Sequence, residues 1–303
     1  MGRVTFDNLS VEDLIAMGDG LVRDGRYSLA KDVFGVALRR AGDTAIRRRI
    51  RGRHGLVTSP TARTQTAFNV LAALEAGELG DPFVAEGLAT WLKTLPFDDD
   101  DRFQELANRH SRLLPLANWH WNLSTVLWAV RSVRDVPGDL VELGVFRGHT
   151  SLFCAEYVEF GGWPRQWWLY DTFEGIPADQ IDSQLWESIN EDLYREKFSY
   201  EEVAARFAHF DNIKVIKGRV PEILHETAPS QIAFMHIDMN NATAEIGALD
   251  FLFERISPGG IIVFDDYAWT NAWAQYVAEK AWFEARGLHV LAIPTGQGIF
   301  VKR

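Results

Sequence analysis

From Pro137 to the C-terminus the chain alternates short apolar runs with helical stretches, and this alternation restricts it to one fold class. The runs are GDLVELGV, QWWLYDTF, IKVIKG, IAFMHID and GGIIVFDDY, each rich in Val, Ile or aromatic residues. Between and after them, stretches such as ATAEIGALDFLFERI and AWAQYVAEKAWFEARG repeat their apolar residues at helical spacing. A strand, a helix and another strand in succession build a parallel sheet covered on both faces. Two further strands, HVLAIP and GIFVKR, are separated by only a short turn, so the last strand is expected to run antiparallel. The expectation is a doubly wound α/β sheet of seven strands.

In such a sheet ligands bind at the carboxyl ends of the strands, and there the sequence turns polar. The run IAFMHI ends in Asp238, Asn240 and Asn241, and the next strand ends in Asp265 and Asp266. Buried carboxylates and amides cost free energy unless they meet partners, so each cluster calls for a cap or a ligand. The first strand ends in VELGVFRGHTS, residues 141–151. Gly144 and Gly148 permit a tight turn, and the backbone amides of His149, Thr150 and Ser151 open the next helix as an anion-binding end. A dinucleotide fingerprint would read G-x-G-x-x-G, whereas this turn reads E-x-G-x-x-x-G, and Glu142 would repel a phosphate. Glu142 suits a cationic or amine-bearing ligand. Asp171, ending the second strand, stands where an acid takes ribose hydroxyls, a position that also serves as a helix cap.

Forty-two acidic residues against 31 basic ones give a formal charge of −11, which argues against a nucleic-acid partner. No apolar run approaches the ~18 residues needed to span a bilayer, and MGRVTFDNLS matches neither a secretory leader nor a myristoylation signal. No membrane partner is expected. One cysteine, Cys154, excludes an internal disulfide and offers no cysteine-rich zinc site, so a cytoplasmic location is expected.

The first part of the chain reads differently. Residues 11–43 carry two helical patterns broken at RDGRY, and Gly18, Gly25, Tyr27, Ala30, Phe34 and Ala37 resemble the small and aromatic positions of one tetratricopeptide unit. A lone unit cannot bury its own face, so the hairpin is expected to pack on the following domain or on a second subunit, as a homo-oligomer would. RRRIRGRH (47–54) reads as a solvated helix end, and FDDDDRF (97–103) as a polar loop leading into a helix. The expected division is a helical region, 1–110, and an α/β domain, 111–303.

VPGDLVELGVFRG, YDTFEGIP, SYEEVAARFAHF, HID and SPGGIIVFDDY, in this order from about Trp121 onward, resemble class I S-adenosylmethionine-dependent methyltransferases. More narrowly they are similar to the macrocin O-methyltransferase (TylF/MycF/NovP) family, which methylates sugar hydroxyls of natural products. The resemblance implies a Rossmann-like sheet and a small-molecule hydroxyl acceptor. It implies that the turn holds the methionine part of S-adenosyl-L-methionine, through Glu142, Gly144, Phe146, Arg147, Gly148, Thr150 and Ser151. Asp171 with Thr172 would hold the ribose, with Gly218 and Asp238 completing the cofactor site. Asp238, Asp265 and Asp266 would bind Mg2+.

The metal set has independent physical support. Neighbouring strands bring Asp238 and the Asp265–Asp266 pair to one rim, where three carboxylates repel unless a cation intervenes, and magnesium prefers oxygen ligands. One departure touches the chemistry. The family reads Asp-x-Asp after the fourth strand, its second Asp being the proposed general base, and this chain has Asn240. An amide accepts no proton but can ligate a metal or orient the acceptor. Asp238, Tyr267 or a histidine, His120 or His149, would then assist; His236, inside the strand, reads as a packed core residue. Residues 176–198 are too long for an ordinary connection and read as a lid, its far end fixed by a capping box of Ser199 with Glu202. NWHW (118–121) lies where the family places acceptor contacts. In-line methyl transfer is the expected chemistry; a cofactor-binding scaffold without turnover is the alternative that Asn240 keeps open, and a nicotinamide oxidoreductase is disfavoured by Glu142.

Overall fold

The computed structural model describes residues 6, 8–58, 72, 83–90, 93–111, 113, 119–181 and 199–303. They fall into two compact units: residues 1–105 with 114–121, and residues 106–113 with 122–303. Among the described residues no helix is long and apolar enough to cross a membrane.

The first unit holds helices α1 (Val11–Arg23), α2 (Tyr27–Arg40) and α3 (Thr44–Thr58), a two-stranded ribbon of β1 (Phe83–Ala85) and β2 (Leu88–Thr90), and α4 (Asp101–Arg109), which crosses the division between the units. The α1–α2 hairpin closes tightly because Gly18 has no side chain: a Cβ there would overlap the Phe34 ring. Its apolar face is covered within the unit, since Ile50 and Val57 of α3 join Leu14, Val22 and Phe34 in one core cluster.

The arginine run corrects the expectation of a solvated helix end. Arg51 and Arg53 are buried. Arg51 donates to Gln104 at 2.7 Å and pairs with Asp98 at 3.5 Å, while Arg53 pairs with Asp19 at 2.9 Å. The charges of Arg51 and Arg53 are therefore met inside the unit, and FDDDDRF supplies one of the partners. Asp98 takes Arg51, and Asp100 caps α4 by accepting from the Phe103 amide at 2.9 Å. His120 and Trp121 pack with Phe83 and Phe97 in an aromatic cluster, so these two residues of NWHW serve as core. Burial lowers the His120 pKa well below the ordinary histidine value, so the ring is neutral and a weaker base than an exposed histidine.

The second unit is the wound sheet. After α5 (His120–Ser132) come β3 (Asp139–Leu143), α6 (His149–Tyr157), β4 (Trp167–Asp171), α7 (Tyr200–Phe207), β5 (Ile213–Lys217), α8 (Leu224–Thr227), β6 (Ile232–Ile237), α9 (Ala242–Leu252), β7 (Ile256–Phe264), α10 (Trp273–Glu284), β8 (Leu291–Ala292) and β9 (Gly298–Val301). The sheet order is β5-β4-β3-β6-β7-β9-β8, with β5 through β7 parallel and β9 antiparallel to both of its neighbours. The short turn before GIFVKR thus returns the final strand between β7 and β8. All six residues of β6 are buried, which is why IAFMHI lacks the in-out alternation of a half-exposed strand. The reversal of strand order falls between β3 and β6, the position at which such sheets open a ligand crevice. Most of the segment read as a lid, residues 182–198, lies outside the described residues. Its far end is as expected, with Ser199 and Glu202 forming a reciprocal capping box on α7.

Candidate active site

The turn after β3 is built around two residues that must be glycine. Gly144 has φ +87°, and a Cβ there would overlap the carbonyl oxygen of Asp238. Gly148, at φ +76°, starts α6, and a Cβ there would lie 2.7 Å from the Phe207 ring. Both positions combine a left-handed backbone with a close approach, so the turn is held against β6 on one side and α7 on the other.

Asp171 clamps this turn. Its Oδ2 accepts from the amides of Val145 and Phe146, each at 2.8 Å, and its Oδ1 accepts from the Phe173 amide at 2.7 Å. Burial raises its pKa while these amides pull the other way. The acid expected to face a ribose therefore has a prior structural task, although a carboxylate's remaining lone pairs can still take a hydroxyl. Thr172 Oγ1 donates to the Gly175 carbonyl at 2.6 Å, and the Gly218 amide donates to the Asp171 carbonyl at 2.9 Å, so both shape the same rim. The Arg147 carbonyl accepts from Arg206 at 3.1 Å, its guanidinium lies 5.1 Å from the Phe146 ring centroid, and Thr150 is buried in the first turn of α6.

Glu142 departs from the sequence expectation. It is only 2% exposed, and both carboxylate oxygens are engaged by protein groups. Ser151 Oγ donates to Oε2, and His236 Nδ1 lies 2.9 Å from Oε1. The charge that was expected to meet an amine is neutralised within the protein. Burial alone would lower the pKa of His236, but its bonds to Asp265 and Glu142 outweigh that and push it up to about 10. Two flanking carboxylates thus favour an imidazolium.

The second carboxylate is Asp265. Its Oδ1 lies 3.4 Å from His236 Nε2 and accepts from Asn122 at 2.5 Å and Gln297 at 3.2 Å. Burial opposes ionisation of Asp265, yet the His236 bond and charge, with the two amides, hold its pKa below the usual carboxylate value. Asp238 and Asp266 behave oppositely: burial comes first, then the neighbouring carboxylates, and both pKa values rise well above the ordinary range. One ligand oxygen from each of Asp238, Asp265 and Asp266 lies within 4.8 Å of the others. Of the three only Asp265 is buried, with Asp238 and Asp266 half-buried; carboxylates this close repel one another, a cation among them relieves the repulsion, and an all-oxygen set fits a hard divalent ion.

Asn240 and Asn241 answer different needs. Asn241 caps α9, its Oδ1 accepting from the Ala244 amide at 2.7 Å. Asn240 sits at φ +58°, a left-handed conformation Asn tolerates, and donates from Nδ2 to Asp238 Oδ1 at 3.2 Å. An aspartate there would set a fourth carboxylate against the three. Tyr267 is 5% exposed, packs with Phe264 and Tyr276, and burial pushes its pKa up to about 12, so its hydroxyl stays protonated. His149, pushed down to about 4 chiefly by burial, is neutral and a weak base.

The sequence reading missed the connector, His236. Part of the signal was present, since a spacing of two puts His236 and Asp238 on one strand face; the pairing of His236 with Glu142 is a matter of strand register, which the fold supplies.

The comparisons with known proteins agree with this geometry. Residues 121–289 match the model of the macrocin O-methyltransferase (TylF) family. The chain belongs to that family. It is 31% identical over 164 residues to the 8-demethyl-8-(2,3-dimethoxy-alpha-L-rhamnosyl)-tetracenomycin-C 4'-O-methyltransferase of Streptomyces olivaceus, a match covering 50% of this chain and 60% of the relative. It is 26% identical over 147 residues to the mycinamicin III 3''-O-methyltransferase of Micromonospora griseorubida, covering 45% of this chain and 58% of the relative. The chain thus spans about three fifths of the length of these curated relatives. The structure of the O-methyltransferase NovP superposes with a TM-score of 0.53 at 22% identity, covering 63% of this chain and 82% of that one, and shows the shared fold.

Proposed function

We propose that this TylF-family chain is an S-adenosylmethionine-dependent O-methyltransferase acting on a hydroxyl of a sugar or glycosylated natural product, with Mg2+ held by Asp238, Asp265 and Asp266. The observation that carries the reading is the meeting, at one strand rim, of a glycine turn clamped by Asp171 and three carboxylates within 4.8 Å. The first relative named above is an O-methyltransferase of a rhamnosyl-bearing tetracenomycin and the second an O-methyltransferase of mycinamicin III, which supports the acceptor class.

When bound, S-adenosylmethionine supplies an electrophilic methyl group on sulfur, and a divalent cation stabilises charge that develops on the acceptor oxygen. The chain's own residues align and hold. The turn from Gly144 to Ser151 would fix the methionine part, and Thr172 and Gly218 border the ribose side. Asn240 secures Asp238 Oδ1, and we assign Asp238 Oδ2 as the atom that receives the acceptor proton. Alignment of acceptor and methyl donor would supply most of the remaining acceleration.

A cofactor-binding scaffold is the second reading, and Asn240 is the observation that favours it, because it replaces the family's proposed base. Incubation with methyl-labelled S-adenosylmethionine and a panel of glycosylated compounds and aglycones separates the two. We expect label only in glycosylated acceptors, loss of transfer with chelator and recovery with Mg2+. Asn240→Asp should alter the rate modestly, and Asn240→Ala should slow transfer about tenfold while cofactor affinity holds. An inert parent made active by Asn240→Asp establishes the scaffold reading instead; full activity in chelator contradicts the metal.

A further inference from the structure

Three adjacent strands, β3, β6 and β7, place Glu142, His236 and Asp265 in one unbroken buried chain. At one end Ser151, in the first turn of α6, donates to Glu142. At the other, Asp265 belongs to the carboxylate trio. Each nitrogen of the His236 ring is committed to a different carboxylate, and the ring is 1% exposed.

We propose that His236 is a positioning residue that sets two binding sites separately, one through each ring nitrogen. Through Nδ1 it holds Glu142, and through Glu142 the Ser151 hydroxyl and the start of α6, where the cofactor's methionine part would sit. Through Nε2 it helps orient Asp265, occupying Oδ1 so that Oδ2 is presented to the cation. The inference rests on the function proposed above and goes beyond it by dividing one side chain's work between cofactor and metal. It touches neither ligand itself; groups that orient ligating residues are worth about ten- to a hundredfold in affinity.

The two nitrogens can be tested apart. An Asn side chain places its amide where Nδ1 lies, and a Gln side chain reaches the Nε2 position. Calorimetry with S-adenosylhomocysteine and titration with Mn2+, followed by its paramagnetic resonance signal, report the two sites without turnover. In the full-length parent both probes should bind. His236→Asn should keep S-adenosylhomocysteine affinity within about twofold and weaken Mn2+ about tenfold; His236→Gln should do the reverse. His236→Phe should weaken both, and if it fails to fold, the Asn and Gln variants still decide the question. A merely structural role lowers both affinities in parallel. That outcome, unchanged affinities, or any pattern other than the crossed one overturns the proposal. A parent that binds neither probe overturns the proposed function as well, whereas a parent that binds both with uncrossed variants removes only the assignment of His236.

Discussion

Individual residues at the rim have measurable tasks. Asp171 satisfies three backbone amides, and removing its carboxylate leaves buried donors without partners. Such donors cost about 1–3 kcal/mol. We therefore expect Asp171→Ala to lower stability by about 2 kcal/mol in urea denaturation and to weaken cofactor binding through a loosened turn. Asp171→Asn, which keeps an acceptor oxygen, should lose less. Equal stability of Asp171→Ala and parent would show that the clamp contributes nothing.

At the scale of elements, strand and helix order was legible because parallel strands covered on both faces need continuous apolar runs, and five such runs stand between helical patterns. Ser199 and Glu202 were legible as a cap for a local reason: both partners lie within one turn. The arginine run on α3 was not. Its meaning depends on Asp98 and Asp19, which sequence distance hides, so a run that looks solvated is in fact paired. Arg51 and Asp98 are each about 5% exposed in their side chains. Removing one partner strands the other charge, so Arg51→Met should destabilise the first unit by about 3 kcal/mol, read as an earlier urea transition. A double Arg51→Met, Asp98→Leu variant should recover much of the loss, since an apolar pair of similar size replaces a buried ion pair at little cost. No recovery would mean that Arg51 acts through Gln104 rather than through charge.

At the scale of the whole molecule, the three acids of the proposed metal site were legible from topology alone, because neighbouring strands end together. The neutralisation of Glu142 was not, since it requires knowing that His236 stands beside it in register. Glu142 is not an exposed repelling charge, so the preference we propose for S-adenosylmethionine over a dinucleotide rests on the shape of the turn set by Gly144, Gly148 and the Asp171 clamp. The central claim is that this turn holds S-adenosylmethionine. Calorimetric titration of the full chain with S-adenosylhomocysteine and, separately, with NAD tests it most directly, with Gly144→Val as the control because a side chain there collides with the Asp238 carbonyl. The account predicts saturable binding of S-adenosylhomocysteine by the parent, none by Gly144→Val, and none of NAD by either. Tighter binding of NAD, or equal binding of S-adenosylhomocysteine by parent and a folded Gly144→Val, would contradict it.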